Sequence, residues 1–195
     1  MSEAEHKYGY IFDFDGVLVN TMGAHFECYQ QALAEVNVPI DRALFYSQAG
    51  MTGLEQIQSF ADRAGVQVDA KAVYARKREI WENHPPHVTP IRCNLQLMRA
   101  LRDRGVRVAV ATGSSPPTIL PIMRQLGIEV DAIVTAHDVK RGKPFPDLFL
   151  CAAERLGLPP QHCIVVEDSD VGIEAAQAAG MRAMRFYDAM TPDGA

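Results

Sequence analysis

The sequence predicts an α/β fold: a Rossmann-like parallel sheet with helices on both faces and an all-helical insertion near its start. Three observations carry this. Short apolar runs of β type alternate with helical spacings through the second half of the chain. A glycine stands just past each of those helical runs, and residues 20–87 keep helical spacing with no intervening strand. At 195 residues and 48% hydrophobic, the chain is long enough for one core carrying an insertion.

The first strand is read over residues 8–14, inside the run YIFDFDGVLV that starts at Tyr10. Asp13 and Asp15 are two residues apart, so on a strand their carboxylates share a face while Phe12 and Phe14 take the other. A buried carboxylate without a partner is strongly unfavourable. Either the pair lies at the strand's end near water, or a positive group faces it. A hinge is expected at residues 19–22. Beyond it Phe26, Tyr29, Leu33 and Val36 recur at spacings of helical period, as do Leu54, Ile57 and Ala61, and then Val73, Lys77 and Ile80. The insertion ends near His84-Pro85-Pro86-His87, whose prolines suit a linker better than a transition-metal pair. The predicted division is therefore an α/β core of residues 1–19 and 88–195 and a helical unit of residues 20–87.

From there, strands are read at 106–111, 132–135, 163–166 and 184–186. The helices between them rest on Leu95, Met98 and Leu101; on Ile119, Ile122, Met123 and Leu126; on Leu148, Cys151, Ala152 and Leu156; and on residues 173–179. Gly105, Gly127, Gly157 and Gly180 close these four helices. Such alternation argues for a parallel sheet covered on both faces. The tail after Tyr187 reads as loose.

Net charge is −5 and no basic run is longer than Arg76-Lys77-Arg78, so no nucleic-acid partner is expected. The polar opening residues show neither a signal peptide nor a membrane span. Four widely spaced cysteines (Cys28, Cys93, Cys151, Cys163) form no C-x-x-C pair, which predicts a reduced, cytoplasmic protein with buried thiols.

Ligands of parallel sheets gather beyond the carboxyl ends of the strands. The first strand ends in Asp13 and Asp15, the 106–111 strand in Thr112-Gly113-Ser114-Ser115, and the 163–166 strand in Glu167-Asp168. Arg141-Gly142-Lys143-Pro144 follows shortly after the 132–135 strand. So many carboxylates on one rim would raise each other's pKa values unless a cation sits among them. Oxygen ligands select a hard ion, and Mg²⁺ shared with a phosphate fits best. An EF-hand loop is excluded, because Leu18 occupies its glycine position.

In order, DFDGVLV, ATGSS, GKPFPD and VEDSDVG resemble the four motifs of the haloacid dehalogenase superfamily. The helical insertion is similar to the small cap of its β-phosphoglucomutase-like and sugar-phosphatase subgroup. The resemblance implies that Asp13 is the nucleophile forming an aspartyl-phosphate, and that Asp15 protonates the leaving alcohol and then activates water. It implies that Thr112, with the amides of Gly113 and Ser114, holds the phosphoryl group while Lys143 neutralises charge. Asp13, Asp15 through its carbonyl, Glu167 and Asp168 would hold Mg²⁺. His25 would touch the acid/base, unless it is an exposed helix histidine. Residues 51–53, with Thr52 and Gly53, would face substrate, and Arg78 would reach over the site unless its basic run is a solvated helix face.

Mutases of this subgroup carry an arginine and a lysine, gripping a distal phosphate, at the positions held here by Gly53 and Ser115. The expected function is thus Mg²⁺-dependent hydrolysis of a small phosphorylated sugar or polyol such as fructose 1-phosphate, with a phosphosugar mutase as the alternative. A dehalogenase needs neither the second aspartate nor a metal. A phospho-acceptor signalling module places its acceptor after a middle strand and has no helical insertion. The implied partner is a small phosphorylated metabolite, with no membrane involved, and the implied state is a monomer.

Overall fold

In the computed structural model, which describes residues 7–48, 51–83 and 87–186, the apolar opening run forms the middle strand of a sheet. Along the chain come β1 (Gly9–Phe12), β2 (Val19–Asn20), α1 (Met22–Ala34), α2 (Arg42–Ser47), α3 (Gly53–Ala64) and α4 (Ala70–Asn83). There follow β3 (Thr89–Pro90), α5 (Arg92–Asp103), β4 (Val108–Ala111), α6 (Pro116–Leu126), β5 (Ala132–Val134), α7 (Asp147–Leu156), β6 (Cys163–Glu167), α8 (Asp170–Ala178) and β7 (Arg182–Arg185). The five-stranded sheet runs β5-β4-β1-β6-β7, every neighbouring pair parallel.

The strands are apolar throughout because both faces are covered. Ile11, Ala109 and Val165 pack with Phe149 and Ala152 of α7 and Ala175 of α8. Phe12, Val110 and Val166 point the other way, toward Met98 of α5 and Ile119 and Met123 of α6. Each fully buried Phe or Ile contributes roughly 1.5–3 kcal/mol over its exposed state. All four predicted helix stops hold: Gly105, Gly127, Gly157 and Gly180 have φ between 59° and 77°.

The predicted helices of the insertion form as α1 to α4, and they lie between β2 and β3. Phe26, Tyr29, Leu33, Val73 and Ile80 are buried, as their spacing predicts. Helix α4 packs on α1 and α3 and reaches across to α6. At the base, β2 and β3 pair antiparallel, with Val19 opposite Pro90 and Asn20 opposite Thr89. The hinge expected at residues 19–22 thus carries a strand pair that the sequence does not reveal, because two residues leave no period to detect.

Three expectations need correction. Strand β1 stops at Phe12, so Asp13 and Asp15 lie beyond it rather than on one strand face. The chain turns at Gly16 (φ 83°), whose N–H donates to Val19 O at 2.8 Å. Cys28 and Cys163 are buried, but Cys151 is half-buried and Cys93, in the first turn of α5, is exposed. Strand β7 starts at Arg182, two residues before the apolar signal, because its burial alternates at the sheet's edge. The 84–86 part of the linker segment and the tail from Tyr187 lie outside the described residues.

Candidate active site

The site forms where the strand order reverses, at the carboxyl ends of β1 and β6, the crevice expected of a doubly wound sheet. The N–H of Asp13 donates to Val166 O at 3.0 Å, which anchors the residue just past β1. Its carboxylate is buried beside Lys143, with Oδ1 3.0 Å from Nζ in an ion pair that lacks hydrogen-bond geometry. Lys143 also donates to Glu167 Oε2 at 2.8 Å. The other Glu167 oxygen accepts from the N–H (3.2 Å) and the hydroxyl (2.6 Å) of Ser169, the N-cap of α8. Gly172 makes room for this arrangement: a Cβ there would lie 2.1 Å from Glu167 Cδ. A Cβ at Gly16 would likewise lie 2.2 Å from Asp168 Oδ2.

Oxygens of Asp13, Glu167 and Asp168 lie within 4.8 Å of one another. Burial, and then the Glu167 charge, raise Asp13 well above the usual carboxylate range against the pull of Lys143. The same two causes push Asp168 up to about 7. For Lys143, burial opposes the charge but Asp13 and Glu167 outweigh it and hold the ammonium above its ordinary value. One lysine among three carboxylates leaves the cluster short of positive charge, and its donors are all oxygen. That chemistry suits a hard divalent ion. Glu167 has both oxygens engaged already, so Asp13 and Asp168 are the carboxylates left to ligate directly.

Asp15 sits under a different set of groups. Its Oδ1 accepts from the hydroxyl of Thr21 and lies 3.3 Å from His25 Nε2. Its Oδ2 accepts from Thr112 Oγ1 at 3.1 Å and Ser114 Oγ at 2.6 Å. Burial disfavours the charge, but the bonds from His25, Ser114 and Thr21 win and hold Asp15 well below the usual range. Thr112 also accepts from the Ser114 N–H at 3.0 Å, which shapes the turn after β4.

His25 is buried, not an exposed helix histidine. It stacks on Trp81 with ring centroids 4.4 Å apart, and its Nδ1 lies 2.8 Å from Lys77 Nζ. An ammonium can only donate, so Nδ1 is the acceptor and the imidazole proton sits on Nε2, facing Asp15. Burial and the Lys77 charge lower the His25 pKa, which keeps the ring neutral. Burial lowers Lys77 itself to about 8.

Asp13, Asp15, His25, Gly53, Thr112, Gly113, Ser114, Lys143 and Asp168 all line one cavity, with Lys77 beside them. Glu167 lies beneath it, fully buried. Two of the predicted residues, Thr52 and Arg78, do not line the cavity, although the Thr52 methyl lies against Gly142 next to Lys143. The Thr52 hydroxyl is engaged with Glu55 in the capping box of α3, and Arg78 pairs with Glu82 at 3.3 Å. Arg76 is turned to Glu35 and Glu79. Thr21 escaped the sequence reading; it caps no helix N–H because its hydroxyl is turned to Asp15.

The model of the haloacid dehalogenase-like hydrolases matches residues 10–186. Fructose-1-phosphate phosphatase YqaB of Escherichia coli is 31% identical over 183 residues, covering 92% of this chain and 96% of that protein. Beta-phosphoglucomutase of Bacillus subtilis is 30% identical over 187 residues, covering 89% and 80%. A hydrolase from Pseudomonas syringae superposes with a TM-score of 0.84 at 25% identity over 93% of this chain and 87% of that one. With its four strand-end motifs gathered on one cavity and the family model spanning nearly all of it, the chain belongs to the haloacid dehalogenase-like hydrolases.

Proposed function

We propose that this hydrolase is a Mg²⁺-dependent phosphatase of a small sugar or polyol monophosphate, working through an aspartyl-phosphate on Asp13. Residues 20–87 act as its cap, and the enzyme works as a cytoplasmic monomer. The observation that carries the reading is the pairing of a buried carboxylate, Asp13, beside Lys143 with a second one, Asp15, held against Thr112 and Ser114.

In the first step an Asp13 oxygen attacks phosphorus, the ester P–O bond breaks, and the leaving alkoxide takes a proton from Asp15. In the second, water attacks phosphorus, gives its proton to Asp15, and orthophosphate leaves Asp13. Asp15 must be protonated before the first step. An arriving phosphate would take over the Thr112 and Ser114 hydroxyls, removing bonds that hold Asp15 ionised. The phosphate's own negative charge, added to burial, then favours the acid form against the remaining bonds from His25 and Thr21. His25 keeps its Nε2 proton directed at Asp15 and positions it. Lys143 neutralises charge as it builds on the phosphoryl oxygens. Mg²⁺, held by Asp13, Asp168 and the Asp15 carbonyl with Glu167 behind them, would supply electrophilic stabilisation of the same oxygens.

The mutase reading has support in the Bacillus relative, but Gly53 and Ser115 supply no cation for a second phosphate. Ser115 is buried and paired with Thr118 Oγ1 at 3.0 Å. The test follows inorganic phosphate from fructose 1-phosphate and glucose 6-phosphate from β-glucose 1-phosphate, the latter primed with a trace of bisphosphate, each with Mg²⁺ and with EDTA. Phosphate release that EDTA abolishes is expected. Faster formation of glucose 6-phosphate would decide for the mutase, and full activity in EDTA would remove the metal.

A further inference from the structure

Gly53, the first residue of α3, lies against two tyrosines from two other helices. A Cβ built on it would come within 2.4 Å of Tyr29 Oη and 2.4 Å of Tyr74 Cε2. A Cβ fits there only if the two rings shift, so the bare Cα is what lets both lie this close. Both tyrosines line it, together with Gln56. Neither tyrosine hydroxyl has a hydrogen-bond partner among the described residues, although Tyr29 is 5% exposed. Burial raises both hydroxyl pKa values, so both remain O–H groups that can donate and accept. Gln56 is buried, with its amide nitrogen donating to Gln48 O at 3.0 Å, which leaves the carbonyl oxygen as an acceptor.

The charge on this wall is low. Of the described insertion residues lining the cavity, Lys77 is the one charged group, and it is engaged with His25 and held between the Tyr29 and Trp81 rings. Arg78, whose charge reaches Tyr74 and Lys77, is paired with Glu82. A second phosphate directed here would lose its water and meet no free cation among the described residues that line the cavity. Hydroxyl groups of a neutral chain would meet two O–H groups and an amide oxygen.

We infer that Gly53, Tyr29, Tyr74 and Gln56 form the specificity-determining wall of this enzyme, reading the hydroxyls of an uncharged polyol or sugar tail and rejecting a second phosphate. The inference rests on the phosphatase reading above. A site built to bond substrate hydroxyls discriminates strongly against analogues that lack them, because its own polar groups are then left unpaired.

The test compares kcat/KM for a hexitol 1-phosphate, the matching 1,6-bisphosphate and acetyl phosphate, which has no hydroxyl tail. Wild type should favour the hexitol phosphate at least tenfold over either of the others. In Tyr29→Phe/Tyr74→Phe, which keeps both rings, the hexitol-to-acetyl ratio should fall at least tenfold, mainly through KM. Gly53→Ala, which drives both rings outward, should lower the same ratio. An unchanged ratio in the double variant, or a bisphosphate used as well as the monophosphate, overturns the inference while leaving phosphatase activity in place. If wild type releases phosphate from none of the three, the phosphatase reading itself fails and the inference fails with it.

Discussion

Lys143 and Lys77 are buried almost equally, 3% and 4% exposed, and both line one cavity, yet their pKa values move in opposite directions. On the sheet side, Lys143 has the carboxylates of Asp13 and Glu167 at 3.0 and 2.8 Å. On the helical side, Lys77 has ring faces at 5.0 and 5.1 Å and an imidazole nitrogen, and no carboxylate within ion-pair distance among the described residues. Burial alone therefore does not decide the charge of a lysine; its neighbours do. The sheet side is a dense, partly compensated charge cluster suited to a phosphoryl group. The helical side is an aromatic wall with one reluctant cation, suited to the neutral rest of a substrate.

The largest effect expected from this contrast is at Asp13. Asp13→Asn keeps the shape, removes the nucleophile and relieves repulsion with Glu167 and Asp168. Phosphate release should fall by about three orders of magnitude or more, as for loss of a covalent nucleophile. The melting temperature should not fall. A variant that keeps several per cent of activity, freed of wild-type contaminant, would move the nucleophile elsewhere.

Lys143→Met comes next. Removing the single cation leaves Asp13 and Glu167 buried and unpaired, a change that typically costs about 3–5 kcal/mol. Activity should vanish, and urea denaturation should show the loss of stability. Adding Mg²⁺ should restore part of that stability, since a divalent ion compensates the same carboxylates. Equal stability of variant and wild type in EDTA would mean that Lys143 compensates little.

How readable each wall was in the sequence follows from the same contrast. Asp13, Thr112, Lys143, Glu167 and Asp168 stand at or just past strand ends or in the loop after one, so strand order alone brings them to one rim. Their clustering therefore follows from the sequence alone. The helical wall has no such rule. Lys77 sat in view within the buried spacing Val73-Lys77-Ile80, but as part of a basic run it also fitted a solvated face. Arg76 does take that face. Lys77 goes inward because its partner His25 comes from α1, while Trp81, one turn further along α4, stacks on that same ring. Tyr29 reads as a packing residue and Tyr74 belongs to no apolar spacing: nothing local announces that Gly53 will meet both. Short pairings such as β2 with β3 are invisible to periodicity for a simpler reason, their two-residue length.

The smallest effect, and the sharpest test of the contrast, is Lys77→Met. The folded-state pKa of about 8 lies below the 10.5 of an unperturbed lysine, so folding disfavours the charged form. Below pH 8 both folded and unfolded chains carry the proton, and the folded state bears the whole penalty. Between pH 8 and 10.5 the unfolded chain keeps the proton while the folded one has released it, so this group makes wild type more stable as pH rises. The penalty relieved is at most about 3 kcal/mol. Methionine keeps the length and the ring contacts without the charge, and gives up a cation–π attraction of about 1 kcal/mol. At pH 7 Lys77→Met should therefore be about 1–2 kcal/mol more stable than wild type, a rise in melting temperature of roughly 2–8 °C for a chain of this size. The gain should shrink toward zero as pH approaches 10.5. Activity should fall about tenfold, because His25 loses the donor that fixes its tautomer. Parallel melts of both proteins from pH 6 to 10 provide the measurement. A variant less stable than wild type at pH 7 would show that the ammonium is held as firmly as that of Lys143, and the two walls would be alike.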